Sequence, residues 1–250
     1  RSIHGFEALL RWRHPEQGVL LPNLFIPTLE QTGLIIPVGN WAIEAACRQL
    51  HFWTEQGFSQ WTLSLNLSPV QFEQQDIFPV VSSMLEKYNL SPSRLILEVT
   101  ESTALKNLDR SIELLEAFNR AGITVSIDDF GTGYSNLLML SVLPAKELKI
   151  DRSFVTSMLE NEKSYKLVET IMSIARTMEM NVVAEGIETE AQQAELTRLG
   201  CDYLQGYLFS RPLPAEQVPW LLLQKNSDKQ IIPINKTQTD SAYISQKNHA

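Results

Sequence analysis

The feature that most constrains the fold is a regular alternation of short strand-like and longer helix-like segments between residues 3 and 215. Such alternation is typical of βα units that build a parallel sheet. The predicted strands are residues 4–11, 61–67, 94–99, 124–128, 147–151, 181–185 and 203–204. The predicted helices are residues 38–55, 78–88, 107–121, 163–178 and 190–199. Gly122 and Gly200 each lie where a helix should end before the next strand.

The domain organisation follows from where this periodicity ends. Seven predicted strands leave a barrel one strand short, and we expect the eighth to lie before residue 1. After Pro219 the periodicity is lost, and the last residues are rich in Asn, Gln, Ser, Thr and Lys, a composition that buries little apolar surface. The sequence therefore predicts a barrel domain over residues 1–222 and a polar, flexible tail over residues 223–250.

Composition and charge exclude several classes of function. A net charge of −8 argues against binding to duplex nucleic acid, which depends on clustered Lys and Arg. Cys47 and Cys201 lie far apart and predict neither a disulfide framework nor a zinc site. A reducing, cytoplasmic location is therefore expected for this domain. The apolar stretches are too short for a membrane span, although a longer protein could still be anchored elsewhere.

Acidic residues fall at or near the ends of several predicted strands. They are Glu98, Asp128, Asp151 and Glu185, and Asn66 and Lys149 occupy similar positions. For any single position, a helix cap or a turn is the commoner reason for an acid after a strand. Capping alone explains the whole set poorly. Because barrel active sites lie at the carboxyl ends of the strands, we expect these side chains to converge on one site.

The chemistry of this residue set favours a divalent metal site. Neighbouring carboxylates repel one another unless cations neutralise them. The candidate donors are oxygen atoms, with no His or Cys among them, which favours hard ions such as Mg²⁺ or Mn²⁺. Asp128 and Asp129 are adjacent, so each can serve a different ion. We therefore expect two ions, an arrangement that activates water and holds the phosphoryl oxygens of a phosphate ester.

A series of motifs along residues 3–215 resembles the EAL family of cyclic di-GMP phosphodiesterases. The first strand carries Glu7-Ala8-Leu9-Leu10-Arg11-Trp12, which contains the signature that names the family. The motifs that follow are Asn66-Leu67-Ser68, Glu98-Val99-Thr100-Glu101-Ser102, Asp128-Asp129-Phe130-Gly131-Thr132-Gly133-Tyr134-Ser135, Leu148-Lys149-Ile150-Asp151, Ala184-Glu185-Gly186-Ile187-Glu188 and Gln205-Gly206-Tyr207. The resemblance implies an α/β fold of the modified (β/α)8, TIM-like barrel type.

The resemblance also implies an activity and a set of site residues. It implies hydrolysis of cyclic di-GMP to linear pGpG by a water activated between two Mg²⁺ or Mn²⁺ ions. The implied metal ligands are Glu7, Asn66, Glu98, Asp128, Asp129 and Glu185. The implied catalytic residues are Glu7, Lys149, Glu185 and Gln205, with Lys149 orienting or deprotonating the attacking water. Arg11 and Asp151 are expected to contact the substrate.

Partners are implied by the same resemblance. Glu101 matches the family's loop-anchoring glutamate, although a solvated acid at a helix start would explain it equally well. A homodimer is expected through the segment that follows Asp129. A sensory or diguanylate-cyclase-like module is expected upstream, because the chain begins at Arg1 almost inside a strand.

Other functions remain open at this point. An EAL module that binds cyclic di-GMP without cleaving it is the main alternative, but such modules usually lose metal acids that this sequence keeps. A protein-interaction scaffold and a hydrolase of another phosphodiester are further alternatives. A hydrolase of another phosphodiester fits the acids but explains the ordered motifs poorly.

Overall fold

The computed structural model describes residues 2–131, 141–219 and 243–249, and all structural statements refer to these residues. The strands, in chain order, are β1 (Ile3–Leu9), β2 (Trp12–His14), β3 (Gly18–Leu20), β4 (Thr62–Asn66), β5 (Leu95–Thr100), β6 (Thr124–Phe130), β7 (Glu147–Ile150), β8 (Asn181–Ala184), β9 (Tyr203–Gln205), β10 (Leu213–Pro214) and β11 (Tyr243–His249). The predicted strands correspond to β1 and β4 to β9, so the predicted strand order along the chain is confirmed.

The helices fill the connections between these strands. They are α1 (Pro22–Thr32), α2 (Ile35–Glu55), α3 (Pro69–Gln74), α4 (Ile77–Lys87), α5 (Glu101–Lys106), α6 (Leu108–Ala121), α7 (Arg152–Ser157), α8 (Glu162–Thr177) and α9 (Glu190–Arg198). The five predicted helices are α2, α4, α6, α8 and α9. Gly122 ends α6 with a φ of +83°, a left-handed conformation that glycine adopts without strain.

The main sheet is a curled, mostly parallel sheet. Its parallel strands are hydrogen-bonded in the order β1, β4, β5, β6, β7, β8, β9, so each strand lies beside the parallel strand that precedes it in the chain. Described helices lie in each of these connections except the one between β6 and β7, part of which is outside the described residues. This succession is that of a barrel of βα units, and the predicted fold class is confirmed. A separate hairpin of β2 and β3 precedes α1.

The last strand lies where the eighth strand of the barrel was expected. β11 pairs antiparallel with β1 and with β9, so the sheet closes on itself. The sequence predicts a flexible tail over residues 223–250, and within that range Tyr243–His249 is a strand of the sheet. The physical reason is that β1 and β9 would otherwise present unpaired N–H and C=O groups at two open edges. The expectation of an eighth strand before residue 1 stays a prediction. The proposed boundary after residue 222 lies outside the described residues.

Strand β4 illustrates how the sequence separates the two faces of the sheet. Leu63 and Leu65 are buried in the apolar core beneath the helices. Thr62, Ser64 and Asn66 alternate with them and therefore face the barrel interior. Because successive strands present polar side chains on their inner faces, reactive side chains can meet at the carboxyl end of the barrel.

Candidate active site

The predicted site residues come from seven different strands and lie at one end of the barrel. Glu7 is near the end of β1, Glu98 and Asp128 are in the last half of β5 and β6, and Lys149 is in β7. The others end their strands or follow them directly: Asn66 ends β4, Glu185 follows β8 and Gln205 ends β9. The expected convergence at the carboxyl ends is therefore present.

The amino group of Lys149 is the centre of the cluster. Its Nζ lies 2.6 Å from Glu185 Oε1 and 2.8 Å from Glu98 Oε2. Asp128 Oδ1 is 3.4 Å away and Glu7 Oε2 is 3.8 Å away. Lys149 is 1% exposed, which is rare for a lysine and requires paired charges of this kind.

Two side-chain amides hold the carboxylate of Glu7. Asn66 Nδ2 donates to Glu7 Oε1 at 2.8 Å, and Gln205 Nε2 donates to Glu7 Oε2 at 2.6 Å. Each carboxylate oxygen thus accepts one hydrogen bond, which fixes the plane of the carboxylate. Gly206 follows Gln205 and a Cβ there would clash with the backbone of Ile187, so this close approach requires glycine. Asn66 and Gln205 therefore act at least as positioning residues for Glu7.

Burial and mutual repulsion raise the pKa values of several acids in the cluster. Burial raises the pKa of Glu98 well above its usual range, and repulsion from Glu7 and Asp128 raises it further against the attraction of Lys149. Burial is also the main reason that the pKa of Glu185 is raised to about 7. The pKa of Asp129 is raised by burial and by the charge of Asp128. The cluster therefore carries more negative charge than one ammonium group balances.

Lys149 itself stays protonated at neutral pH. Its burial favours the neutral amine, but attraction from Glu185, Glu7, Glu98 and Asp128 outweighs burial and raises the pKa of Lys149 well above its usual range. An ammonium group can donate hydrogen bonds and balance charge, but it has no lone pair to accept a proton. The implied role of Lys149, orienting or deprotonating the attacking water, stays a prediction.

The start of the loop after β6 is held by Glu101. Glu101 is buried at the start of α5, and its Oε2 accepts a hydrogen bond from the Gly131 N–H at 3.3 Å. Asp129 has a φ of +55°, and its own N–H donates to Asp128 Oδ1 at 2.9 Å. This backbone turn directs the two adjacent carboxylates apart. The segment expected to form a dimer contact continues into residues 132–140, which lie outside the described residues.

A cavity of about 250 Å³ opens onto the cluster. Arg11 lines it beside Glu7 and Lys149, and its expected contact with the substrate stays a prediction. Arg152 and Tyr207 also line the cavity, and neither was predicted as a site residue. The signal was present in the sequence, because Arg152 lies two residues after the end of β7 and Tyr207 directly follows Gln205-Gly206 in the last motif.

Asp151 caps the helix that follows β7. Its Oδ1 accepts hydrogen bonds from the N–H of Ser153, at 3.0 Å, and from the Ser153 hydroxyl, so it is the N-cap of α7. It is absent from the described residues that line the cavity. Its expected contact with the substrate stays a prediction.

The described residues contain no group of three or more His, Cys, Asp or Glu side chains arranged as a metal centre. In this arrangement the acids of the cluster point to the Lys149 ammonium group instead. The donor set is nonetheless one that suits hard cations, since it consists of carboxylate and amide oxygens that carry excess negative charge. In the described part of the chain, no helix has both the length and the apolar character needed to cross a membrane.

Comparison with known proteins agrees with the motifs and the fold. The EAL domain family matches residues 1–212, so the chain belongs to the EAL domain family. MucR of Pseudomonas aeruginosa, a bifunctional diguanylate cyclase/cyclic di-GMP phosphodiesterase, is 49% identical over 214 residues, which are 86% of this chain and 31% of MucR. The cyclic di-GMP phosphodiesterase NbdA of the same organism is 40% identical over 85% of this chain and 27% of NbdA.

Solved structures show the same relationship. The structure of the PaMucR phosphodiesterase in complex with c-di-GMP has a TM-score of 0.84 at 48% identity, covering 87% of this chain and 88% of that one. The EAL enzyme Bd1971 bound to cAMP and cyclic di-GMP has a TM-score of 0.82 at 37% identity, covering 89% of this chain and 60% of that one. The chain spans about a third of the length of the curated relatives named above.

Proposed function

We propose that this domain hydrolyses cyclic di-GMP to linear pGpG with the help of divalent metal ions. The observation that carries the proposal is the set of four carboxylates within 3.8 Å of Lys149 Nζ at the carboxyl end of the barrel. The relatives MucR and NbdA, 49% and 40% identical to this chain, carry cyclic di-GMP phosphodiesterase in their names, which supports this substrate.

Metal binding is supported by the charge and chemistry of the cluster. Glu7, Glu98, Asp128 and Glu185 face one ammonium group. Burial, and then repulsion between these acids, raises the pKa of Glu98 and of Glu185, and a bound cation would relieve both effects. We propose that Mg²⁺ or Mn²⁺, two ions per site, is held by these residues together with Asn66 and Asp129. When bound, such ions lower the pKa of a coordinated water and stabilise charge on phosphoryl oxygens.

The chain's own groups have separate tasks in this proposal. Asn66 and Gln205 hold the carboxylate of Glu7 in one orientation through their amide N–H groups. Lys149 keeps the acids together and, as an ammonium group, donates hydrogen bonds to the attacking water or to a phosphoryl oxygen. Glu185, with a pKa of about 7, can hold or release a proton near neutral pH. It is the acid of the cluster best suited to accept a proton from water.

The cavity suits one phosphodiester of the substrate better than the whole molecule. Its volume of about 250 Å³ is below the roughly 300–1,000 Å³ of pockets that enclose a complete drug-sized ligand. Arg11 and Arg152 line this cavity and supply positive charge for phosphate oxygens. The rest of a cyclic dinucleotide would therefore extend across the exposed rim beside Tyr207.

Assembly and location remain proposals that follow from the family. A homodimer through the segment after Asp129 is supported by the Glu101–Gly131 hydrogen bond, which fixes the start of that segment. An upstream sensory or diguanylate-cyclase-like module is supported by the greater length of the relatives. We place the domain itself in the cytoplasm, where its buried free thiols, Cys47 and Cys201, would stay reduced.

The test is incubation of the purified domain with cyclic di-GMP and Mg²⁺ or Mn²⁺, followed by chromatography. We expect pGpG to accumulate with either metal and to stop accumulating when a chelator is added. Binding of cyclic di-GMP without any pGpG would favour a receptor module. If neither binding nor turnover occurred with either metal, both nucleotide functions would be wrong and a scaffold would remain.

A further inference from the structure

A second and larger cavity lies on the opposite side of the barrel wall from the active site. Its volume is about 510 Å³, within the roughly 300–1,000 Å³ of typical small-molecule pockets. It lies between strands β1 and β4 and helices α1 and α2, and its apolar lining includes Leu63, Ile26, Val38, Ala42 and Ala45. Protein interiors are normally packed with few voids larger than a water molecule, so a cavity of this size calls for an occupant.

Two amide nitrogens with unused hydrogen-bonding capacity belong to residues that line this cavity. Gln71 is 2% exposed, and its Nε2 has no hydrogen-bond partner among the described residues. Gln49 Nε2 is likewise buried and without a partner in the described structure. A buried amide N–H that lacks an acceptor costs about 1–3 kcal/mol. The Gln71 amide packs directly against Gly39, and a Cβ at that position would clash with the amide.

The charges around the cavity define the kind of acceptor that would fit. Glu30 is the charged residue among the described residues that line it, and no Lys or Arg accompanies it there. A ligand carboxylate would be repelled by Glu30 and would have no cation to pair with. A neutral carbonyl oxygen can accept from the Gln49 amide without either penalty.

The cavity is distinct from the catalytic cluster. Leu63 and Leu65 line it, whereas Ser64, between them on β4, faces the barrel interior. Leu9 lines both cavities at the end of β1, and Asn66 of the cluster also lines the larger cavity, so the two sites approach each other there. Because of this proximity, competition with the nucleotide is a necessary part of any test.

We propose that this cavity binds a small neutral amphiphile, with an apolar chain among the aliphatic side chains and a carbonyl oxygen at Gln49 Nε2. The probe for the test is 2-octanone, and octanoate of equal chain length is the charged comparison. Binding is measured by isothermal titration calorimetry and by the rise in melting temperature that accompanies binding to the folded state.

Three variants separate the contributions of volume and hydrogen bonding. Ala45→Leu fills part of the cavity and should weaken 2-octanone binding strongly while retaining a cooperative melting transition. Gln49→Leu keeps the volume but removes a donor, and should weaken binding by roughly 2- to 10-fold, the effect of one hydrogen bond. Gln56→Leu, on an exposed residue just after the same helix, is the matched control and should bind as the wild type does.

The expected result is saturable binding of 2-octanone that is tighter than binding of octanoate and is undiminished by saturating cyclic di-GMP. The proposal is overturned if the wild-type protein shows no saturable binding, or if Ala45→Leu and Gln49→Leu both bind as tightly as wild type. Tighter binding of octanoate would refute the neutral-acceptor argument. Competition by cyclic di-GMP would show that the cavity belongs to the nucleotide site.

Discussion

Replacing Lys149 by Met tests how the cluster is held together. The substitution keeps much of the side-chain length but removes the ammonium group that lies within 3.8 Å of four carboxylates. Removing one partner of a buried ion pair typically costs about 3–5 kcal/mol. For a domain of this size that corresponds to a fall of roughly 6–20 °C in melting temperature.

The loss of stability in Lys149→Met should depend on pH. Without the ammonium group, the pKa values of Glu98 and Glu185, already raised, rise further in the folded state. Such groups lend stability below their unfolded pKa, and this stability is lost as the pH rises through the folded pKa. Since Glu185 has a pKa of about 7 even beside Lys149, the destabilisation should be small near pH 5 and largest near pH 8.

The assay is urea unfolding of both proteins at pH 5 and pH 8 without divalent ions. Lys163→Met, on an exposed lysine of α8, is the control and should change the free energy of unfolding by less than about 0.5 kcal/mol. Addition of Mg²⁺ should stabilise Lys149→Met more than the wild type, because the acids have lost their own cation. A destabilisation below about 1 kcal/mol at pH 8, or the same loss at both pH values, would refute the reasoning.

Three further outcomes follow from the geometry. Gln246→Pro removes a backbone N–H from β11, the strand that closes the barrel, and should lower the free energy of unfolding by about 1–3 kcal/mol. Unchanged urea unfolding would mean that β11 contributes nothing to closure of the barrel. Glu101→Leu removes the acceptor of the Gly131 N–H, so turnover should fall while stability changes by less than about 1.5 kcal/mol; full turnover would exclude an anchoring role. Mg²⁺ affinity, measured by calorimetry, should be higher at pH 8 than at pH 6, because Glu185 must lose its proton to bind a cation; equal affinities would contradict the raised pKa.

Much of the fold was predictable because strands and helices have different hydrophobic periods. The alternation placed β1 and β4 to β9 in order, and Gly122 marked the end of α6 correctly. The closing strand β11 was not predictable from Tyr243–His249 itself. Its place in the sheet depends on the unsatisfied edges of β1 and β9, which are a property of the folded barrel and not of the local sequence.

The candidate site was predictable to the extent that parallel strands end at the same side of a barrel. That rule alone predicts that Glu98, Asp128 and Glu185 lie close together. It could not show that Lys149 contacts all of them, because such contacts depend on side-chain packing in the barrel interior. Asp151 also caps α7, a local role that the position of an acid directly after a strand allows equally well.

The central claim is that Glu7 and its neighbours form one metal-dependent hydrolytic site. The most direct measurement compares pGpG formation by wild type, Glu7→Gln and Glu160→Gln with saturating Mg²⁺ and cyclic di-GMP. Glu7→Gln is nearly isosteric and should retain the fold by circular dichroism, but it removes the carboxylate that Asn66 and Gln205 hold in place. We predict that its turnover falls below detection while Glu160→Gln, an exposed control, keeps wild-type turnover. Wild-type turnover by Glu7→Gln would contradict the account.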